Sequence, residues 1–566
     1  MTGPTTERPW PVFGSLQHYQ RGWLRADVVA GLTVWAVMVP EALAYASIAG
    51  VPPVIGLYAA IPALVLYALA GSSRHLVVGP MSATAALSAA IITPLAGSDG
   101  GRYLALSTAL ALATGIVGLI AGLIRLGFIA SFISEPVLKG FIVGLALTII
   151  IGQVPKLFGI EKTPGNFFEQ ALGVIRHLGD THWRTALIGA LSLAIVLGFK
   201  RWLPLVPGSL LAVLLGIGAV TAFGLDEQGV DIVGHIDSGM PSVGMPDGIG
   251  VGELIDLLGP AVGVLLIGFA EGLGAAKTYA AKAGYQVDAN RELFGLGAAN
   301  LGSGLGSGMV VNGSLSKTAV NGGAGAKTQL SGLVVAALVI VTLLFLTGLF
   351  ENLPEATLAG VVIAAVIELV DIDALRRLYR VWTTRLGSIY GHAARADFAA
   401  AVAAMAGVLI FDTLPGLIIG IGVSMLLLLY RASQPHVAGL AKDGTLWVDT
   451  DRHPELEQRQ DLLVVRVEAG LFFANADYVE HRIESMCTDS TRVVILDAET
   501  SPFVDVSAAS MLAQLRDTLA RQRIDFAVAR DIGQFRDALG QSVSGDRRVP
   551  VYPTVSSALD DLDRRR

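Results

Sequence analysis

The chain has 566 residues, of which 53% are hydrophobic and 15% charged, with a mean hydropathy of +0.61 and a net charge of −7. A soluble domain carries about a quarter of its residues as charged side chains, so most of this chain belongs in lipid. The acidic balance, without a basic cluster, excludes nucleic-acid binding, and a single cysteine, Cys487, excludes an internal disulfide or a cysteine metal cluster.

Residues 1–25 are polar and aromatic, with Trp10, Phe13, Tyr19 and Trp23 beside Arg21 and Arg25. They read as a cytoplasmic lead-in at the membrane interface, and no removed signal peptide is expected. A transport domain follows over 26–433. Its first half, 26–223, is predicted to hold seven apolar segments near 27–47, 54–70, 80–95, 103–124, 133–154, 184–199 and 206–223. A short helix at 127–132 is expected before the fifth. A polar, glycine-rich loop spans 224–258. The second half, 259–433, gives segments near 259–282, 291–305, from Ser314 onward, 329–349, 355–371, 396–412 and 414–431.

Charge sets the orientation. Loops after even segments carry Arg74, Arg125, Lys200, Arg201, the run from Lys277 to Arg291, Lys327, Arg376, Arg377, Arg380, Arg385 and Arg395. The loop 224–258 has neither lysine nor arginine, but has Asp226, Glu227, Asp231, Asp237, Asp247, Glu253 and Asp256. Excess Lys and Arg marks the cytoplasmic side, so both termini are expected in the cytoplasm of a cell-membrane protein. Seven segments on each side of an outer loop make an inverted repeat, the plan of alternating-access carriers.

From about residue 440 the pattern changes. Strands are predicted at 464–467, 493–497 and 524–529, and helices at 474–486, 507–521 and 555–562. This is a small cytoplasmic α/β domain over 440–566. It has no phosphate loop, nucleophile elbow or Walker motif, so neither an enzyme nor a cofactor is expected.

The segment from Gly308 to Asn321 concentrates polar chemistry inside an apolar chain. Met309–Val311 suits a short extended run, Asn312-Gly313 a turn, and Ser314 an N-cap. A helix starting there presents its N-terminal N–H groups to an anion, with Ser314, Ser316 and Lys317 around it. Leu76–Ala85 echoes this plan: a Val-Val pair, a glycine turn, Pro80 at a first-turn position, then Met81, Ser82 and Thr84 at a helix start. Two such units meeting head to head would set two helix N-termini on one site.

These residues resemble the sulfate permease (SulP) family of anion transporters. The signature lies in Pro40–Tyr58 (PEALAYASIAGVPPVIGLY), Gly71–His75 (GSSRH) and Val78-Gly79-Pro80. Its second-half counterparts are Tyr285–Leu293 (YQVDANREL) and Gly313–Asn321 (GSLSKTAVN). The last domain resembles the STAS domain that closes such proteins. The resemblance implies a uracil-permease-like fold of fourteen transmembrane segments as a 7+7 inverted repeat, a moving core domain, a gate domain and a homodimer. It places substrate between the third and tenth segments, flanked by the first and eighth. Carried over by position, the substrate site is Glu41, Tyr45, Met81, Ser82, Thr84, Glu271, Ser314, Ser316 and Lys317. Many relatives have glutamine at the position of Glu41 and arginine at that of Lys317.

The expected function is secondary active transport of a small inorganic oxyanion, with sulfate the leading cargo, by elevator-type alternating access. Glu41 and Glu271 are the candidates for proton coupling. Sodium coupling through Glu271 and nearby carbonyls is the competitor. Bicarbonate or a dicarboxylate as cargo, or an anion channel on the same fold, remain open. Lys317 could pair structurally with Glu41 or Glu271, or serve as the counter-charge for the anion. Arg74 and His75 suit cytoplasmic anchoring. Ser507, after Asp505, falls where related regulatory STAS proteins are phosphorylated, and equally suits a helix N-cap.

Overall fold

A computed structural model gives the fold. It describes residues 12–565 apart from 18, 98, 129–134, 204–206, 237, 368–369, 384–390, 412, 445, 457–458, 532, 534 and 538–548. Most of the short helix expected at 127–132 lies outside the described residues. The chain forms a helical unit, Met1–Ser424, and an α/β unit, Met425–Arg566.

The helical unit opens with α1 (Leu24–Ile48), α2 (Val54–Ala70), β1 (Val77–Gly79), α3 (Ser82–Ala96) and α4 (Gly100–Leu123). It continues with α5 (Glu135–Phe158), α6 (Phe167–His177), α7 (Trp183–Trp202) and α8 (Gly208–Phe223). Beyond the polar loop come α9 (Val251–Asp256), α10 (Leu258–Ala283), α11 (Ala289–Leu305), β2 (Asn312–Ser314) and α12 (Leu315–Gly323). Then follow α13 (Leu330–Phe345), α14 (Glu355–Val366), α15 (Ile372–Thr383), α16 (Gly391–Phe411) and α17 (Thr413–Ser433). Among the described residues, five helices are long and apolar enough to cross a bilayer: Arg21–Ile48, Gly100–Leu123, Glu135–Phe158, Trp183–Trp202 and Leu258–Ala283. Helices satisfy their own backbone, which is why lipid selects them.

Two packed groups stand out. One joins α1, α2, α4, α10, α11 and α13; the other joins α5, α7, α14 and α16. Small residues let backbones close up. A Cβ on Gly118 of α4 would meet Gly297 Cα of α11 at 2.7 Å, and one on Gly140 of α5 would strike the Ala401 carbonyl of α16.

At the centre of the first group β1 and β2 pair antiparallel, with Val77 opposite Ser314, Val78 opposite Gly313 and Gly79 opposite Asn312. The extended run expected at 309–311 is therefore displaced to 312–314, and Asn312-Gly313 is strand rather than turn. Side chains of α11 hold the preceding backbone instead. Asn300 Nδ2 donates to Val311 O at 2.9 Å, Val311 N donates to Asn300 Oδ1 at 3.0 Å, and Ser303 Oγ donates to Met309 O at 2.5 Å. Pro80 also differs from expectation. It stands ahead of α3, whose N-cap is the extended Met81, and its carbonyl stays open to a partner outside the helix.

The approach to β1 is clamped by Glu292, which is fully buried in α11. Its carboxylate accepts from Tyr67 Oη (2.6 Å), Ser72 N (2.8 Å), Ser72 Oγ (2.7 Å) and Ser73 N (2.9 Å).

The α/β unit is a six-stranded sheet in the order β4-β3-β5-β6-β7-β8. A hairpin of β3 (Val437–Asp443) and β4 (Leu446–Asp449) leads into parallel β5 (Leu462–Val467), β6 (Val493–Asp497), β7 (Asp525–Ala529) and β8 (Val551–Tyr552). Helices α18 (Ala476–Met486), α19 (Val506–Arg521) and α20 (Val555–Arg565) complete it. β6 is buried along its whole length, as a central parallel strand covered on both faces should be. Ser507 is not the N-cap of α19. Asp505 is, its carboxylate accepting from Ala508 N at 2.8 Å, and Ser507 lies in the first turn with an exposed side chain.

Glu292→Ala strands four buried or half-buried donors at once. We expect it to lower stability by about 3 kcal/mol or more, read as an earlier thermal unfolding transition of the purified protein in detergent. An unchanged transition would remove the clamp.

Candidate anion-binding site

The site grows from the β1–β2 ribbon. Each strand feeds a helix that starts inside the protein, α3 from Ser82 and α12 from Leu315. α3 has no side-chain cap, so its first-turn N–H groups keep their partial positive charge directed forward. On α12, Ser314 is the N-cap, its Oγ accepting from Lys317 N at 3.3 Å.

Lys317 occupies the third position of α12 with a side chain only 1% exposed. Its ammonium lies 2.7 Å from Glu41 Oε2 and donates to Pro80 O at 3.1 Å. It also sits over the Tyr45 ring, 4.8 Å from the centroid. One cation thus joins α1, the lead-in to α3, and α12. Glu41 and Tyr45 share a face of α1 because they are one turn apart. An ammonium without counter-charge would be untenable at this depth, and of the two pairings left open by the sequence the structure forms the one with Glu41.

The other expected residues fall as follows. Met81 is buried at the α3 N-cap, and Asn312 Nδ2 approaches its sulfur at 3.8 Å. Ser82 is buried at the first position of α3. Thr84 is buried and donates to Met81 O at 3.2 Å. Ser314 is buried, whereas Ser316 is exposed, its hydroxyl 3.2 Å from that of Ser314. Glu271, on α10, is half-buried and lines a cavity of about 660 Å³ together with Lys139, Ile142, Leu315, residues 370–373 and Arg376.

Sequence reasoning missed the residues that brace this arrangement. Thr318 Oγ1 donates to Ser314 O at 2.5 Å and accepts from Val77 N at 3.1 Å, stitching α12 to β1. Asn321 Nδ2 donates to His75 O at 2.9 Å. Asn312 is fully inside, against Gly268 of α10. The available signal was spacing: Lys317, Thr318 and Asn321 are the buried positions of one helical face. Arg74 and His75 hold the end of β1. The Arg74 guanidinium lies 5.1 Å from the Tyr285 ring centroid. His75 Nε2 donates to Ala326 O at 3.0 Å, which leaves Nδ1 to accept from Tyr285 Oη at 3.0 Å.

Half-helices meeting at a buried strand pair, with a compensated cation between them, define a helical membrane transporter fold. The chain belongs to the sulfate permease family, which it matches over residues 24–389, and it carries a STAS domain over 453–558. It is 36% identical to a protein of Mycobacterium tuberculosis (strain CDC 1551 / Oshkosh) named "Probable sulfate transporter", covering 99% of each chain. It is 29% identical to sulfate transporter 1.3 of Arabidopsis thaliana, covering 97% of this chain and 87% of the relative. Its fold is similar to that of the murine Slc26a9 anion transporter in the inward-facing state, with a TM-score of 0.87 at 21% identity, covering 100% and 96% of the two chains. It is also similar to the transmembrane domain of the cyanobacterial bicarbonate transporter BicA, with a TM-score of 0.59 at 22% identity, covering 72% of this chain and 98% of that one.

Lys317→Met bares the Glu41 carboxylate. We expect a loss of about 3–5 kcal/mol, read as a lowered melting temperature. Glu41→Gln with Lys317→Met should recover most of that loss. A double variant no more stable than Lys317→Met would show that the ion pair is not what holds these segments.

Proposed function

We propose that this chain is a secondary active carrier of a small inorganic oxyanion, with sulfate as its cargo and protons as the coupling ion. The observation that carries the reading is Lys317: a dry ammonium at the start of one half-helix, facing the lead-in of another. Helix N-termini and a fixed cation together favour a compact anion. The names of the relatives favour sulfate among such anions.

The charge balance supports proton coupling. With Glu41 ionised, the Lys317 site is already neutral, and a dianion entering it would bring two uncompensated charges into low dielectric. A proton on Glu41 or Glu271 removes part of that excess. Substrate and proton then favour each other's binding, which is the linkage a symporter needs.

In this reading the helical unit spans the membrane fourteen times as a 7+7 inverted repeat, with both termini in the cytoplasm of a cell-membrane protein. The α1–α4 and α10–α13 group moves as an elevator against α5, α7, α8, α14, α16 and α17, in a homodimer. Glu41, Tyr45, Met81, Ser82, Thr84, Glu271, Ser314, Ser316 and Lys317 surround the anion. The antiparallel β1–β2 pairing agrees with the repeat, because two strands related by a two-fold axis in the membrane plane meet in opposite directions.

Uptake into proteoliposomes tests this with labelled sulfate, bicarbonate and succinate, at two pH values, with and without sodium. Saturable sulfate uptake, faster with an inward proton gradient and indifferent to sodium, is expected. Glu41→Gln should flatten its pH dependence. Unsaturable flux would mark a channel, and sodium-dependent bicarbonate uptake would replace both cargo and coupling ion.

A further inference from the structure

The cavity beside Glu271 contains charges that the central site leaves unused. Its volume of about 660 Å³ is room for roughly twenty waters, ample for a hydrated oxyanion. Leu315, the first residue of α12, forms one wall, and Lys139 and Ile142 of α5 form another. Residues 370–373 and Arg376, at the start of α15, form the third. The cavity therefore runs from the tip that carries Lys317 to a cation on the opposing helix group.

Lys139 Nζ lies 3.3 Å from Asp371 Oδ2, with its side chain 37% exposed. The same carboxylate oxygen lies 3.9 Å from Arg377 Nη2. Arg376 is engaged differently, with Asp373 on its own helix at 3.4 Å. The sharing of Asp371 has a consequence. If an anion draws Lys139 away, Asp371 keeps Arg377, and no carboxylate is bared. Lys317 differs in this respect, because leaving Glu41 would strand a carboxylate in a nearly dry site. A pair this exposed is also weak, so a passing anion can compete for its cation.

We propose that Lys139 is a second anion-binding position, a relay through which the carried oxyanion passes between Lys317 and water, with Asp371 as its displaceable competitor. This rests on the proposed carrier function.

The test is labelled-sulfate equilibrium exchange in proteoliposomes over a range of sulfate concentrations, with melting temperature as the folding control. Lys139→Gln should raise KM about threefold or more, beyond any fall in maximal rate. Lys139→Arg should stay near the parent, and Asp371→Asn should lower KM by freeing the cation. High salt should compress the differences shown by Lys139→Gln and Asp371→Asn. Opposite signs for Lys139→Gln and Asp371→Asn are the signature. An ion pair that only braces the fold would lower the melting temperature in both and leave KM unmoved, which would overturn the relay. Lys317→Met separates the two readings. If it abolishes saturable exchange while the Lys139 and Asp371 variants keep the parental KM, only the relay falls. If it leaves exchange intact, the central site falls and the relay with it.

Discussion

The helical unit depends on one compensated charge. Lys317 is the least exposed cation in its neighbourhood, and its ammonium reaches a carboxylate on α1, a carbonyl ahead of α3 and an aromatic face on α1. These contacts come from two segments, α1 and the lead-in to α3, so the ammonium fixes both of them against α12. A buried ion pair is weak evidence of stability in itself, because desolvation offsets most of the attraction. In the proposed carrier the pair has a use beyond stability, because Lys317 would turn to an anion and Glu41 to a proton.

The interrupted helices create a second demand. Every break exposes backbone groups where no bulk water can satisfy them. At this site the breaks largely satisfy one another. β1 and β2 pair across the centre, and the flanking backbone is taken up by a set of buried polar side chains. Gln329 Nε2 donates to both Ser73 O and Leu76 O at 2.9 Å. Asp27 accepts from Lys327 N at 2.6 Å, Thr328 N at 3.1 Å and Thr328 Oγ1 at 2.7 Å. Together with Asn300, Thr318, Asn321 and Glu292, these groups make a rigid cradle. The α3 and α12 tips are therefore held in place by their surroundings.

Much of this was legible in the sequence, for specific reasons. Ser314 and Lys317 are conspicuous because a hydroxyl N-cap and a lysine interrupt an apolar chain, and the Glu41–Tyr45 spacing puts both on one helical face. The bracing residues were not legible, since Asn300, Thr318 and Gln329 act on backbone far away in sequence, and side-chain-to-backbone pairing leaves no periodic trace. The short strand moved by three residues for the same reason: Asn300 engages Val311 before β2 can. α6 and α15 escaped because they are amphipathic and short, so a search for apolar spans passes over them. In the α/β unit the buried runs of β5, β6 and β7 announced themselves, whereas the β3–β4 hairpin, with Gly439 inside β3 and a tight turn at Gly444 (φ +57°), did not.

Two of the cation–carboxylate arrangements in the helical unit differ in burial and in the number of counter-ions. Lys317 and Glu41 form a closed pair in a dry pocket, where separating the charges requires a replacement on both sides at once. Lys139, Asp371 and Arg377 form an open chain beside water, where one cation can leave and the carboxylate still has the other. A third cluster, in the α/β unit, offers neither feature. Asp497 is fully buried at the end of β6 and pairs with both Arg466, at 2.7 Å, and Arg530. Both arginines also reach Glu499, at 3.5 and 2.7 Å, so two cations face two carboxylates with every charge already matched. Such a cluster ties the carboxyl ends of β5, β6 and β7 together and has no charge to spare. Were an anion to displace a cation, the carboxylate left behind would need either a proton, as proposed for Glu41, or a spare counter-ion, as Arg377 is for Asp371.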